Sequence, residues 1–241
     1  FGVASLFVLL FHGNNPKFFA QKEGLGRGLK PCAAEHAFGM FQMFAKEGIA
    51  GRMDAFLAAL QREPAAKPAA IAAVMEHLGR VFGAGASLDS CRQFLNDRLS
   101  EKGERSSRVS AVLGLVEGFR GRSGAKTAAQ TDTFAAVLGA EGRASATVRD
   151  FLRFVAERAG DSQALLGDRL SAVALLGHSN FDFAGAPLGQ LLAARQPPDI
   201  QVQAVRALER LGDPRGGALL IKRENWAGYT PRLREAVLAT L

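Results

Sequence analysis

One phrase, written three times at a fixed interval, constrains this chain more than any other feature. DRLSAVALLG (168–177), PDIQVQAVRALERLGDP (198–214) and TPRLREAVLATL (230–241) each carry the dipeptide Ala-Val, at 172–173, 204–205 and 236–237, so both intervals are 32 residues. In the middle copy Ile200, Ala204, Val205 and Leu208 fall at i, i+4, i+5 and i+8, and Leu211 continues the stripe. Arg206, Glu209 and Arg210 fall elsewhere around the same helix, which gives the amphipathic pattern of one buried face. The equivalent face is Leu170, Val173 and Leu176 in the first copy and Leu233, Val237 and Leu241 in the third. A helix of about a dozen residues cannot hide such a stripe alone, but stacked pairs can. The second helix of each pair lies between the copies, in APLGQLLAAR (186–195) and GGALLIKRE (216–224).

Two helices per period in the thirties predict an all-α, HEAT-like α-solenoid of stacked antiparallel helix pairs. Its clearest repeats cover 164–241 and the helical repeat domain is expected over 32–241. Earlier Ala-Val pairs at 73–74, 111–112 and 136–137 have spacings of 38, 25 and 36, a poor register that hints at three more repeats. Composition agrees with a helical chain: 48% of 241 residues are hydrophobic, yet there is one Tyr and one Trp, and good helix formers dominate.

Helices are expected near 33–47, 52–62, 68–82, 88–100, 106–119, 127–139, 146–159, 164–177, 185–194, 199–211, 215–223 and 231–241. Glycines punctuate them at Gly48 and Gly51, Gly83 and Gly85, Gly121 and Gly124, and Gly139 and Gly142. Pro197, Pro198, Pro214 and Pro231 suit helix starts, and Asp199 and Thr230 read as N-caps. Residues 1–31 form a poorly defined N-terminal part. The apolar run FGVASLFVLLF, at 11 residues, is shorter than the roughly 20 that cross a bilayer. A loop, 12–31, follows it. The chain opens on Phe rather than Met and is expected to be processed or a fragment. No membrane span is expected.

The phrases RLSAVALLGH, LLAARQPPDIQVQAVRAL and YTPRLREAVLATL give residues 161–241 a family resemblance. This segment resembles the helical middle of large proteins of Planctomycetes and Verrucomicrobia described as membrane-bound dehydrogenases with a haem-binding module. Those proteins place a β-propeller before the helices and a cytochrome c-like domain with CxxCH after them. The resemblance implies an extracytoplasmic parent in which such a region connects a dehydrogenase-like domain to a haem c domain. No CxxCH and no strand repeats occur in these 241 residues, so the family's redox residues have no positions here. No cofactor is expected in this region.

The remaining candidates are weighed against plain structural roles. Cys32 and His36 lie four apart on a helix face, but two ligands do not make a metal site. The second cysteine, Cys91, is far away. Gly24-Leu25-Gly26-Arg27-Gly28 lacks the Lys-Ser/Thr of a phosphate loop and reads as a connector. His77 and His178 each end a helix-like stretch, where the helix dipole favours a cation; His12 is uninformative. Phe134, Phe151, Phe154, Phe181 and Phe183 read as core. No Ser/His/Asp set or carboxylate pair suggests catalysis, so the region is expected not to be an enzyme.

The net charge of +7 and pI near 9.9 leave one alternative open. Arg149, Arg153 and Glu157 share a helix face, with Arg158 beside it, and Arg120, Arg122 and Lys126 form a basic loop cluster. On a concave solenoid face these would meet phosphate backbones. Such a chain would be similar to HEAT-like DNA glycosylases, which carry Trp and Asp at the lesion site; the one Trp here, Trp226, lies close to Tyr229, and the plain reading has both aromatics pack the turn between the last two helices. The first reading is a non-catalytic scaffold or connector that binds a protein partner or neighbouring domains.

Overall fold

A computed structural model describes residues 68–100, 105–122 and 132–241. The chain divides into two compact units, Phe1–Val74 and Met75–Leu241. Of the first, only residues 68–74 are described, so the expected boundary at residue 31 and the helices near 33–47 and 52–62 lie outside the described residues. The described residues form eleven helices and no strand, an all-α fold.

The helices are α1 (Pro68–Gly85), α2 (Leu88–Ser100), α3 (Arg105–Gly121), α4 (Thr133–Arg143), α5 (Ala146–Gly160), α6 (Leu166–Leu176), α7 (Phe181–Leu191), α8 (Pro198–Leu211), α9 (Pro214–Leu220), α10 (Arg223–Gly228) and α11 (Pro231–Thr240). Five of their starts are set by short polar side chains that accept orphan N–H groups. Asp132, Ser145, Asn180, Asp213 and Thr230 accept from Ala135, Val148, Phe183, Arg215 and Leu233 respectively. Asp199 does not cap as expected: Pro197 occupies the N-cap of α8 and Asp199 lies in the first turn, where its charge suits the dipole. α7 begins four residues before its expected start because Asn180 caps it. The expected helix 215–223 is two short ones, α9 and α10.

Contacts run along two rows. α3, α6, α8 and α11 follow one another in one row, and α5, α7 and α9 in the other. The two rows meet where α6 packs on α5 and α8 packs on α7 and α9. The valine of every Ala-Val pair is buried: Val74, Val112, Val137, Val173, Val205 and Val237. Leu176, Ile200, Leu208 and Leu233 are buried with them. Two expected core positions differ. Leu170 is only half-buried, and Leu241 lies past the end of α11 and is 63% exposed. Leu241 caps α11 rather than continuing it, so the helical stripe does not extend to it.

α6 departs from a one-sided repeat helix. Residues 172–179 are all buried, which an apolar sequence on every side permits. α3, α5 and α8 surround it, and Gly177 lets α8 approach, since a Cβ there would sit 2.9 Å from Ala207 Cα.

α1 and α3 cross closer still. Gly79 and Gly83 face Ala111 and Leu115, while Gly114 and Gly118 face Glu76, Arg80 and Ala84. Residue numbers rise together along both helices, so they run parallel. A Cβ at any of the four glycines would overlap a backbone carbonyl oxygen of the other helix. Gly83 is therefore not the break expected from the sequence but an interior contact of α1. At the edge of this crossing, Arg80 Nε donates to Glu117 (3.1 Å) and Arg80 Nη2 donates to Glu76 (2.6 Å).

Candidate functional site

The fate of the arginines decides what kind of surface this is. The last carbonyls of an α-helix have no partner within the helix. In this protein long polar side chains from neighbouring segments fill them. Arg122 donates to the carbonyls of Gly83 and Phe82 at the end of α1. Arg92 Nε donates to Val137 O (3.3 Å), beside the break in α4 where Gly139 takes φ 77°. Buried Arg169 donates to Ala159 O at the end of α5 (3.0 Å) and to Gln196 Oε1 (2.7 Å). Arg210 donates to Ala174 O of α6 (3.2 Å). Gln201 does the same for Leu192 and Ala193 after α7, Asn225 for Leu219 of α9, and Arg234 for Trp226 of α10.

Ion pairs occupy others: Arg143 with Asp132 (2.7 Å), Arg158 with Asp168 (2.9 Å), and Arg215 with Asp182 and Asp213 (2.7 and 2.8 Å). The charge is also distributed unevenly. Residues 132–241 hold 13 Lys and Arg against 12 Asp and Glu, so the part with the clearest repeats is almost neutral and the basic excess lies before it.

The expected basic cluster is not assembled as the sequence grouped it. Arg122 is taken up by the end of α1 and lies over Phe119, 5.1 Å from the ring centroid. Lys126 lies outside the described residues, as do Cys32, His36, His12 and the Gly24–Gly28 run. Arg149 is exposed on α5, and Arg153 pairs with Asp150 on the same helix (3.2 Å). The charge that Arg120 meets is that of Arg210 on α8.

Arg120 and Arg210 both stand in the last turns of their helices, and α6 packs against both helices. Burial, and then their mutual repulsion in the case of Arg120, lowers the affinity of these guanidinium groups for their protons. Glu117, Glu209 and Arg206 are the other charges that reach Arg210. The same two arginines act on His178. This residue follows the C-cap of α6 and is 1% exposed. Its Nδ1 lies 3.3 Å from Thr133 Oγ1, its carbonyl accepts from Thr133 N (3.0 Å), and its Nε2 has no hydrogen-bond partner.

His178 does follow the end of α6, as expected, but burial opposes the cation that the dipole favours. Burial first, then Arg210 and Arg120, hold its pKa well below the ordinary value, so the ring is neutral. His77 lies inside α1 rather than at its end, and burial lowers its pKa too. For His178 the unfolded chain binds a proton that the folded one refuses. Stability is therefore complete above pH ~6.5 and falls by about 1.4 kcal/mol per pH unit below it, until the folded pKa is reached. Urea unfolding of wild type and His178→Gln between pH 7.5 and 5 should show the slope in the first and a shallower one in the second.

Trp226 and Tyr229 stack edge to face at 6.0 Å beside Arg234, whose guanidinium lies 5.6 Å from the Trp226 ring centroid. Tyr229 is buried and its pKa is pushed up to about 12. Phe134 and Phe151 are buried core, whereas Phe154, Phe181 and Phe183 are half-buried. Phe181 carries the Arg215 guanidinium 4.4 Å from its centroid. Among the described residues no three His, Cys, Asp or Glu side chains gather as metal ligands, and no helix is long and apolar enough to cross a membrane.

The sequence reading missed the carbonyl-filling arginines, because nothing in the pattern tells which carbonyl lies within reach of which helix. It also passed over the Gly79/Gly83 and Gly114/Gly118 pairs, although their four-residue spacing was visible. No family model, curated protein or solved structure matches the chain.

Proposed function

We propose that the chain is a non-catalytic helical-repeat scaffold, a HEAT-like solenoid in its C-terminal part, that offers a surface to a protein partner or to neighbouring domains. The observation that carries this reading is the use of arginine inside the fold: Arg92, Arg122, Arg169, Arg210 and Arg234 each donate to a carbonyl at a helix end or break. Such bonds fix each helix against another and favour a stiff support over a reactive cleft. By its resemblance, the region would connect a dehydrogenase-like domain to a haem c domain in an extracytoplasmic parent. A CxxCH encoded soon after Leu241 in the parent reading frame would support that placement, and an early stop codon would remove it.

The basic composition favours a second reading, a solenoid that binds nucleic acid with or without glycosylase activity. The two readings differ in one measurement. On the scaffold reading, duplex DNA is not retained by the whole chain at about 50 mM salt. Retention that weakens steeply as salt rises would replace the scaffold with the nucleic-acid reading.

A further inference from the structure

We propose that the face at the end of the two helix rows, on α9 and α11, docks a helix pair of the same repeat kind carried by a partner protein. The inference rests on the helical-repeat reading and names the surface that such a scaffold uses. The face is apolar: Ile221, Leu238 and Leu241 are 57, 64 and 63% exposed. The three are contiguous. Leu241 Cδ2 lies 3.4 Å from where a Cβ on Gly217 of α9 would stand. Ile221 follows one turn later, its N–H donating to Gly217 O (3.1 Å). Leu238 is three residues before Leu241, on the same side of α11. Large apolar side chains grouped in this way mark an interaction surface, whereas scattered ones do not.

The 32-residue register shows what covers these positions elsewhere in the fold. Leu238 corresponds to Ala174, Leu241 to Gly177 and Ile221 to Gly189. Each of these earlier positions meets the next helix of its row. Ala174 is buried, and its carbonyl accepts from Arg210 of α8 (3.2 Å). A Cβ on Gly177 would sit 2.9 Å from Ala207 Cα of α8, and one on Gly189 would sit 3.6 Å from Leu219 of α9. The middle copy supplies the contrast. Its equivalents of Leu238 and Leu241 are Arg206 and Glu209, both exposed. The repeat thus puts charge where these positions meet water, and small or apolar residues where a helix covers them. Continuing both contacts by one step defines the partner: a helix with a leucine in the place of Leu219 lies on Ile221, and a helix with a small residue in the place of Ala207 lies on Leu238 and Leu241. Leucines where α6 has Ala174 and Gly177 hold that second helix farther off than α8 lies from α6.

The test extends the whole chain with a duplicate of residues 210–241 placed directly after Leu241. Leu241 corresponds to Glu209, so the duplicate continues the register, and it carries Leu219 and, in the place of Ala207, Ala239. The tether supplies the effective concentration that a partner's affinity would otherwise provide. The extended chain should unfold at a midpoint higher by about 2–4 °C or more. The double variant Ile221→Glu, Leu238→Glu, altered only at exposed positions, should keep the midpoint of the unextended chain and abolish the gain. No gain in the extended wild type overturns the docking face, as does an equal gain in the double variant. Sedimentation of the unextended chain adds a third outcome: a dimer that the two glutamates dissolve assigns the face to a second copy and overturns the partner. Retention of duplex DNA is a separate readout. A chain that holds no DNA and gains nothing from the duplicate loses this face and keeps the scaffold reading.

Discussion

Gly114→Ala is expected to destabilise the protein by about 3 kcal/mol or more, even though alanine is the better helix former. In an open helix interior the same change stabilises by roughly 0.8–1 kcal/mol. The sign inverts because a Cβ at Gly114 would overlap Glu76 O and sit 2.7 Å from Glu76 C and 2.8 Å from Arg80 N. These are backbone atoms that no rotamer change can move. α1 and α3 would have to separate, and Gly79, Gly83 and Gly118 would lose their contacts together. Gly167→Ala is the matched control. It lies in the exposed first turn of α6 with nothing within 4 Å of the new Cβ, so it should stabilise by up to about 1 kcal/mol. Urea unfolding of both variants gives the two signs. A Gly114→Ala protein as stable as wild type would show that the helices do not cross backbone to backbone.

Val205→Asp should cost about 3 kcal/mol or more. Val205 is buried in the row where α8 meets α6, α7 and α11, and its neighbours along the stripe are Gln201, Ala204 and Leu208. A carboxylate at this depth gains no cation in exchange. Protonation is its way out, so the penalty relative to wild type should shrink as pH falls toward ~4. Thermal unfolding that stays at the wild-type midpoint would sink the assignment of this buried face.

The helical class and most helix boundaries were legible from period, proline and cap residues. Thr230 was read as a cap and acts within three residues of itself, whereas Ser145 and Asn180 do the same but were passed over, and the start of α7 was placed four residues late. The stripe of α8 was legible because Ile200, Val205 and Leu208 repeat with the helix. Leu241 failed because α11 ends at Thr240, and a periodic position holds its face only while the helix continues. Asp199 failed because Pro197 and Pro198 start the helix earlier than the acidic side chain alone suggests.

The candidate site was barely legible. Arg120 was singled out, but with Arg122 and Lys126, its neighbours in sequence. The charge that acts on it in the folded chain is that of Arg210, ninety residues away in sequence. His178 was noted as a helix-end residue, yet charge state depends on burial, and burial depends on what packs against α6. The sequence by itself determined that the described residues are helical, where most of their helices start and which stripe of α8 faces inward, because those follow from forces acting within one turn. Only the tertiary structure decided that the second half of α6 is enclosed on all sides, that α1 and α3 touch through glycine, and that arginines are engaged with the carbonyls of neighbouring helices. Each of these depends on which distant segments meet, and a guanidinium reaches its carbonyl only after the helices have packed.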